Sequence, residues 1–452
     1  MVSHKELKGA LRMTIKSTIA KNVGKTLSYF LTRYTNGGSS LPGKVALSID
    51  KNLLKNLAAS YDVVVVTGTN GKTLTTTLTT SVLSKKYNHV ITNKAGSNMK
   101  QGIVGAFLNA PRVTKDAIAV LEVDEGSLKN VVEELQPKVF LHTNIFADQL
   151  DRYGSIEKIY ELLTDAANST PDATVIANGD LPLFNSVALP NSRKFFGFDT
   201  NVDTGNQSKA DTACPNCGHD LEYTIYTYAN LGDYSCSSCG YKRPELDHRV
   251  TSVKELDVTH STFTIDHHTY TLHNAGIYNI YNALAAYSVG RHFDVPKEDI
   301  VDAFNVNERV FGRQEVIVAY DKKIVLNVVK NPVGLDQVLN LIKLEKDPFT
   351  FVSLLNNRPA DGVDLSWLAD TNFESLTDLD IKQIITGGIA VDKMTDRLLT
   401  AGFDSSILYS AGTLENVVEA IEKAPTTKIH MIATYTAMLE IRKALIEKGH
   451  IK

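Results

Sequence analysis

Two short stretches of this 452-residue chain contain residues whose types and spacing could do chemistry. The first is TGTNGKT at residues 67–73, a glycine-rich turn that ends in Lys72 and Thr73. In such a turn, backbone N–H groups at the start of a helix hold phosphate oxygens, and the lysine reaches the β- and γ-phosphates. The threonine hydroxyl is then available to Mg²⁺. The stretch predicts a loop that binds ATP and Mg²⁺, made of Gly68, Thr69, Asn70, Gly71, Lys72 and Thr73.

The second stretch holds all four cysteines of the chain, as CPNCG and CSSCG on either side of a segment that alternates like a β-strand. Four thiolates from two such turns are the ligand set of a tetrahedral Zn²⁺ site. A redox role for one Cys-x-x-Cys pair is the alternative. The pattern predicts an inserted structural zinc ribbon at about residues 205–245, with the ligands Cys214, Cys217, Cys236 and Cys239.

Zinc ribbons often bind nucleic acid, but the charge of this one argues against it. Residues 205–245 contain three basic and five acidic side chains, whereas phosphate contacts require the opposite balance. The whole chain has a formal net charge of -4 and 43% hydrophobic residues, as in ordinary globular proteins. We therefore expect no nucleic-acid partner. The sequence shows neither an apolar run of about 18 residues nor a signal peptide, which predicts a cytoplasmic protein.

Both candidate sites need a scaffold, and the apolar runs predict one. YDVVVVTGTNGKT indicates a buried strand that enters the phosphate turn, and LTTTLTTSVLSKKY continues it as a helix. Further strands are predicted at 117–123, 138–145 and 173–180, and a helix at 274–293. Strands that alternate with helices indicate a parallel, doubly wound α/β sheet, into which the cysteine segment is inserted.

A second α/β pattern begins after NERVFGRQE at residues 308–315. We therefore predict a basic helical segment at 1–55, a central ATPase domain at 56–312 and a smaller α/β domain at 313–452. The first 33 residues form a basic amphipathic pattern, either packed on the domain behind it or resting on an anionic membrane surface. Its basic residues are Lys5, Lys8, Arg12, Lys16, Lys21, Lys25 and Arg33.

The central region resembles the Mur ligase and folylpolyglutamate synthase superfamily. TGTNGKT has the form of its phosphate loop, and LEVDE at 121–125 matches its strand-end acid, which implies that Glu122 binds Mg²⁺. GIYNIYNALAA at 276–286 and FGRQE at 311–315 match two further segments. The resemblance implies that Asn279 and Asn282 lie near the nucleotide and that Arg313 approaches its phosphates.

The sequence departs from the superfamily at two matched positions, and it has no lysine about fifteen residues after Gln149, where many Mur ligases have a carbamylated lysine. TNIFADQLDRYGS at 143–155 resembles a metal-binding segment, but Gln149 stands where a histidine is usual. Tyr278 replaces a second histidine. A glutamine oxygen is still usable by a hard cation such as Mg²⁺, so a second metal site is left open.

The C-terminal region resembles the MurT family, the ligase subunits of lipid II isoglutaminyl synthases. The matching segments include LLNNRPADGVDLSWLADTNFE at 354–374 and ITGGIAVDKMTDRLLTAGF at 385–403. The resemblance implies amidation of the D-glutamate α-carboxylate of lipid II through an acyl phosphate, with ammonia from a GatD-type glutaminase subunit. It also implies that an acid of the ADGVD loop completes the partner's catalytic triad, with Asp361 as first choice and Asp364 as second. The alternative is that both acids only shape the turn.

Two other functions remain open: a standalone ligase of the same superfamily that adds an amino acid, and an ATPase whose ribbon binds nucleic acid. The cysteines bear on this choice. If all four hold zinc, none is left as a glutaminase nucleophile. An amidating ligase of this kind must then receive its ammonia from a partner subunit, while it works on lipid II at the inner face of the membrane.

Overall fold

The computed structural model describes residues 14–34, 40–93, 96–111, 116–147, 154–202, 212–305 and 312–451. Within them the chain forms a nine-stranded sheet, a six-stranded sheet and a two-stranded ribbon. This is the predicted α/β class, with a central sheet, an insertion that carries the cysteines and a second sheet in the C-terminal part.

Three helices precede the first strand: α1 (Ile15–Tyr34), α2 (Leu41–Ile49) and α3 (Leu53–Ala58). The inner face of α1 consists of small residues, so its backbone lies close to its neighbours. A Cβ on Gly24 would lie 2.6 Å from Leu108 Cδ1 and 3.0 Å from Ala46 Cβ. The opposite face exposes large apolar side chains, among them Ile15 and Phe30.

Strands and helices then alternate, as the sequence predicts. The strands up to residue 272 are β1 (Asp62–Thr67), β2 (His89–Thr92), β3 (Ala117–Glu122), β4 (Val139–His142), β5 (Thr174–Asn178), β6 (Arg193–Phe198), β7 (Glu222–Tyr226), β8 (Gly232–Ser235), β9 (His248–Leu256), β10 (Ser261–Ile265) and β11 (His268–Leu272). The helices of this part are α4 (Lys72–Leu83), α5 (Lys100–Asn109), α6 (Leu128–Leu135), α7 (Ile156–Asn168), α8 (Ile277–His292) and α9 (Lys297–Phe304).

The central sheet has the strand order β11-β10-β9-β6-β5-β4-β1-β3-β2. β1 lies between β3 and β4 and is parallel to both. Its four valines are fully buried because helices cover both faces of a parallel sheet. The strands predicted at 117–123, 138–145 and 173–180 are confirmed as β3, β4 and β5.

One edge of the central sheet was not predicted. After the cysteine insertion, β9 continues the sheet in parallel with β6, and β10 and β11 extend it as antiparallel strands. The alternating burial of Ser261–Ile265 shows that this edge has one covered face and one wetter face. Register shifts at Thr262/Phe263 and Thr264/Ile265 weaken the regular pattern in β9 and β10.

The C-terminal part contains β12 (Glu315–Ala319), β13 (Lys322–Val328), β14 (Phe349–Leu354), β15 (Ile381–Gly387), β16 (Leu408–Ser410) and β17 (Lys428–Ala433). Its helices are α10 (Pro332–Ile342), α11 (Val391–Thr400), α12 (Leu414–Glu422) and α13 (Tyr435–Glu447). The strand order is β12-β13-β17-β14-β15-β16, with only β12 antiparallel to its neighbour among the described strands. The chain passes from the first sheet to the second between Phe304 and Glu315. The division into domains at 55 and 312 stays a prediction.

Candidate active site and zinc centre

The phosphate loop joins β1 to α4 and is built around its two glycines. Gly68 and Gly71 have φ angles of 131° and 80°, which L side chains rarely adopt. A Cβ on Gly71 would lie 2.1 Å from Asn282 Oδ1, so no side chain fits there. Asn144 fixes the loop from β4's end, because its Oδ1 accepts from the Asn70 N–H at 2.9 Å. The loop is therefore a preformed turn at the N-terminus of α4.

Lys72 is buried beside the loop and is paired with an acid outside the predicted site. Its Nζ lies 2.9 Å from Glu125 Oε1, and both side chains are nearly inaccessible. Burial lowers the pKa of Lys72, but Glu125, Glu122 and Asp124 together outweigh burial and raise it. The amine is therefore charged before any phosphate arrives. The signal for Glu125 was present in LEVDE, where three acids stand within four residues.

Glu122 ends β3 next to the loop, because Val66 of β1 is its register partner. Its carboxylate is almost fully buried, and Asn98 Nδ2 donates to its Oε1 at 3.3 Å. The Asn93 side chain forms hydrogen bonds with both backbone groups of Glu122. Its Oδ1 accepts from the Glu122 N–H and its Nδ2 donates to the Glu122 carbonyl, both at 2.9 Å. A carboxylate fixed in this way is a hard oxygen ligand of the type that Mg²⁺ prefers. Coordination of Mg²⁺ by Glu122 and Thr73 stays a prediction.

A cavity opens beside the loop, between the central sheet and the C-terminal part. Asn279 and Asn282 from α8 line it, together with Arg313 from the connection between the sheets. Asn282 Nδ2 donates to Asn279 Oδ1 at 3.1 Å, and Thr75 Oγ1 donates to Asn282 Oδ1 at 3.1 Å. The fold thus brings the predicted residues of three separate segments to one cavity. Tyr228, which no sequence motif indicated, also lines this cavity.

Of the two positions that depart from the superfamily, only Tyr278 lies within the described residues. Gln149 lies outside the described residues. Tyr278 accepts a hydrogen bond from Gln314 Nε2 at 3.0 Å, and the same nitrogen donates to Ala275 O at 2.6 Å. Tyr278 therefore ties the start of α8 to the connection that carries Arg313.

The four cysteines meet at one end of the ribbon. Their Sγ atoms all lie within 4.8 Å of one another. Sγ of Cys214 is 3.7 Å from that of Cys239, and Sγ of Cys217 is 3.5 Å from that of Cys236. Four sulfurs about 2.3 Å from a tetrahedral Zn²⁺ would be about 3.8 Å apart, so the arrangement fits zinc. A backbone N–H of Cys239 helps to lower the pKa of Cys236 to about 7. By contrast, desolvation and the neighbouring thiols raise the pKa of Cys239 to about 12, so these shifts favour a single thiolate in the cluster.

The two acids of the ADGVD loop differ in their surroundings. Asp361 is buried, and its two oxygens accept from the N–H and the Oγ1 of Thr436, each at 2.6 Å. The N–H of Arg358 donates to Asp361 Oδ2 at 3.2 Å. Asp364 is exposed and accepts from the N–H and Oγ of Ser366, and the first of these lowers the pKa of Asp364. Asp361 is therefore fixed against α13, whereas Asp364 only caps a turn.

Two family models match the chain, the Mur ligase middle domain over residues 66–290 and the MurT ligase C-terminal region over residues 328–438. A curated protein of Streptococcus pneumoniae (strain ATCC BAA-255 / R6) is named lipid II isoglutaminyl synthase (glutamine-hydrolyzing) subunit MurT. It is 43% identical over 444 residues, which are 97% of this chain and 99% of the relative. The chain belongs to the MurT family. A subunit of the same name in Staphylococcus aureus (strain COL) is 31% identical over 91% of this chain and 94% of its own length.

The fold of this MurT-family chain is that of the Mur ligases, which are ATP-dependent ligases. The crystal structure of MurF from Acinetobacter baumannii matches with a TM-score of 0.66 at 18% identity, over 89% of this chain and 80% of MurF. At that identity the likeness concerns the fold alone. The cysteine ribbon is inserted within the matched middle domain, between β6 and β9. Among the described residues, each helix is too short or too polar to cross a membrane.

Proposed function

We propose that this MurT-family chain is the ligase subunit that amidates the D-glutamate α-carboxylate of the lipid II stem peptide to D-isoglutamine. The observation that carries the proposal is the near-full-length likeness to proteins named as subunits of lipid II isoglutaminyl synthase. The phosphate loop with its charged, buried lysine supports the ATP-dependent step.

In the proposed reaction, an oxygen of the glutamate carboxylate attacks the γ-phosphorus of ATP, and ADP leaves. Ammonia then attacks the acyl carbon, phosphate leaves and the nitrogen loses a proton, which gives the amide. Lys72 and Arg313 would neutralise charge on the transferring phosphoryl group. Thr73 and Glu122 would hold Mg²⁺, which supplies further charge neutralisation at the phosphates.

The ion pair with Glu125 keeps Lys72 charged and in place before ATP binds. Because the acids around Lys72 raise its pKa, the amine carries its charge without needing a proton when ATP binds. Phosphate oxygens would take over from Glu125 as the partner of Lys72. The unfavourable desolvation free energy of the lysine is thus compensated in the folded protein before ATP binds.

We infer that ammonia comes from a GatD-type glutaminase subunit. Zinc binding by the ribbon would occupy every cysteine of the chain, which leaves no thiol for glutamine hydrolysis. A catalytic triad needs an acid that is itself held still, so that it can orient the histidine. Asp361 meets this requirement through its three hydrogen bonds. We propose that it is the acid that orients the histidine of the partner subunit.

ADP release by the purified chain with a lipid II acceptor tests the function. We expect turnover with ammonium, and turnover with glutamine only when the glutaminase partner is added. Turnover with free amino acids but not with ammonium would instead establish a standalone amino-acid-adding ligase. Retention on DNA or RNA at physiological salt would favour the nucleic-acid alternative.

We also propose that α1 rests on the anionic inner face of the membrane, where lipid II resides. Its outward face exposes Ile15 by 83%, Ile19 by 51% and Phe30 by 51%. The helix contains no acidic residue, and Lys16 and Lys25 on the exposed surface are cationic. Apolar side chains flanked by lysines suit the boundary between anionic headgroups and acyl chains.

A further inference from the structure

The hairpin turn of the zinc ribbon is buried in the central part of the molecule rather than in the ribbon itself. The ribbon has a small apolar cluster of its own, which includes Cys214, Cys236 and Tyr234. The turn between β7 and β8 belongs instead to the large core of the central sheet, through Tyr228 and Leu231. Tyr228 is 3% exposed and Leu231 is 0% exposed. The ribbon therefore enters the central core with the end that carries no cysteine.

Buried polar groups fix this turn to both the central sheet and the ribbon. Thr227 Oγ1 lies 2.9 Å from Tyr281 OH, which donates to Asp180 Oδ2 at 2.6 Å. Arg243, just after the second cysteine pair, donates from Nη1 to Asp180 Oδ1 at 3.0 Å. The N–H of Gly232 donates to the Asp180 carbonyl at 3.1 Å. One buried residue thus links the turn to the chain that leaves the metal end.

Tyr228 carries its ring from this turn into the wall of the cavity beside the phosphate loop. Asn70 and Asn282 line the same cavity. So does Phe146, whose ring centroid is 6.1 Å from that of Tyr228. Aromatic rings next to buried amides suit the planar base of a nucleotide, since bases stack on aromatic faces. The phosphates would lie instead at the N–H groups of the loop.

We propose that Tyr228 forms part of the wall that binds the nucleoside, and that the four-cysteine ribbon holds this wall in place. The inference rests on the proposed ATP site, and it gives the inserted ribbon a role in that site. Zinc held by the four cysteines would then support binding of the nucleoside part of ATP through the ribbon, although the metal end lies outside the cavity lining.

Titration calorimetry of the full-length chain with ADP and with tripolyphosphate tests the role of Tyr228. Tyr228→Ala is expected to weaken ADP binding by about tenfold and to leave tripolyphosphate binding unchanged, because only the base stacks. Tyr228→Phe keeps the ring and is expected to restore most of the affinity. Tyr409→Ala, which truncates an exposed ring in the C-terminal part, is the control. Equal ADP affinity in Tyr228→Ala and the wild type would overturn the inference.

The double variant Cys217→Ser/Cys239→Ser tests the role of the metal, with zinc content measured by elemental analysis. We expect it to lose zinc and to bind ADP about tenfold more weakly, with tripolyphosphate binding retained. Asn216→Ala, an exposed change between the ligands, is the control. Unchanged ADP affinity without zinc, or equal loss of both ligands, overturns the role of the ribbon. Failure of the wild type to bind ADP overturns the proposed function, and this inference with it.

Discussion

At the scale of single residues, Gly71 shows how closely the phosphate loop is packed. Gly71→Ala would place a Cβ against Asn282 and would also strain a backbone with φ of 80°. We expect turnover to fall by about 100-fold, because a shift of about 1 Å in a catalytic group has effects of this size. Steady-state ADP release measures it.

Gly402 offers a matched control for this prediction. It has a φ of 97°, but a Cβ there would meet nothing within 4 Å. Gly402→Ala is expected to cost about 1–2 kcal/mol of stability, seen as a lower melting temperature, with turnover unchanged. If Gly71→Ala also retained turnover, the loop could not be the phosphate site.

Asp361 carries the second prediction at this scale. Asp361→Asn keeps the size of the side chain but removes the carboxylate proposed to orient the partner's histidine. We expect glutamine-dependent amidation to fall by about 10³- to 10⁴-fold, the usual effect of losing a triad acid, and ammonium-dependent amidation to persist. Asp364→Asn is the matched control and is expected to retain both. Equal loss of both activities in Asp361→Asn would indicate a structural role for this acid alone.

At the scale of elements, α1 carries a prediction about the membrane. The wild type is expected to sediment with vesicles that contain phosphatidylglycerol, and less with neutral phosphatidylcholine vesicles. Ile19→Glu with Phe30→Glu removes apolar area and adds negative charge, so the bound fraction is expected to fall about tenfold. Ile446→Glu on α13 changes a similarly exposed apolar residue and is the control. Equal binding by the variant and the wild type would refute this role of α1.

The elements also show what the sequence could and could not predict. The turn between β1 and α4 was predictable because the buried valines, the turn glycines and the phosphate-binding lysine all lie within about a dozen consecutive residues. The edge strands β9 to β11 were missed, since a half-exposed edge has no continuous apolar run and its register is shifted. Glu125 was not predicted because the motif alone does not show which acid of LEVDE contacts Lys72. Tyr228 was not predicted because its contact with Phe146 joins segments that are far apart in sequence.

At the scale of the whole molecule, a pair of amides links the C-terminal part to the phosphate loop. Asn331 Nδ2 donates to Asn70 Oδ1 at 3.0 Å, and Asn70 Nδ2 donates back at 3.3 Å. Asn331 also caps α10, because its Oδ1 accepts from the Gly334 N–H at 2.7 Å. The C-terminal part is therefore held against the loop by a side chain that also starts a helix.

Asn331→Asp keeps the helix cap and the acceptor for Asn70 Nδ2, but it removes the hydrogen bond that Asn331 Nδ2 donates to Asn70 Oδ1. We expect residues 327–342 to exchange amide hydrogen about five- to tenfold faster, which corresponds to about 1 kcal/mol for an uncharged hydrogen bond. Hydrogen–deuterium exchange with mass spectrometry measures it. Asn52→Asp, the same change at an exposed position, is the control. Unchanged exchange in Asn331→Asp would show that the amide pair does not hold the two parts together.

The amide pair carries no net charge, and neither side chain titrates. This amide contact is therefore insensitive to ionic strength, whereas the attraction of a cationic helix to anionic lipid fades within about 8 Å at 0.15 M salt. The proposed membrane attachment would thus be sensitive to salt, whereas the amide clamp between Asn70 and Asn331 is not. A high-salt wash is expected to release the enzyme from vesicles with its clamp intact, so that attachment and catalysis can be measured apart.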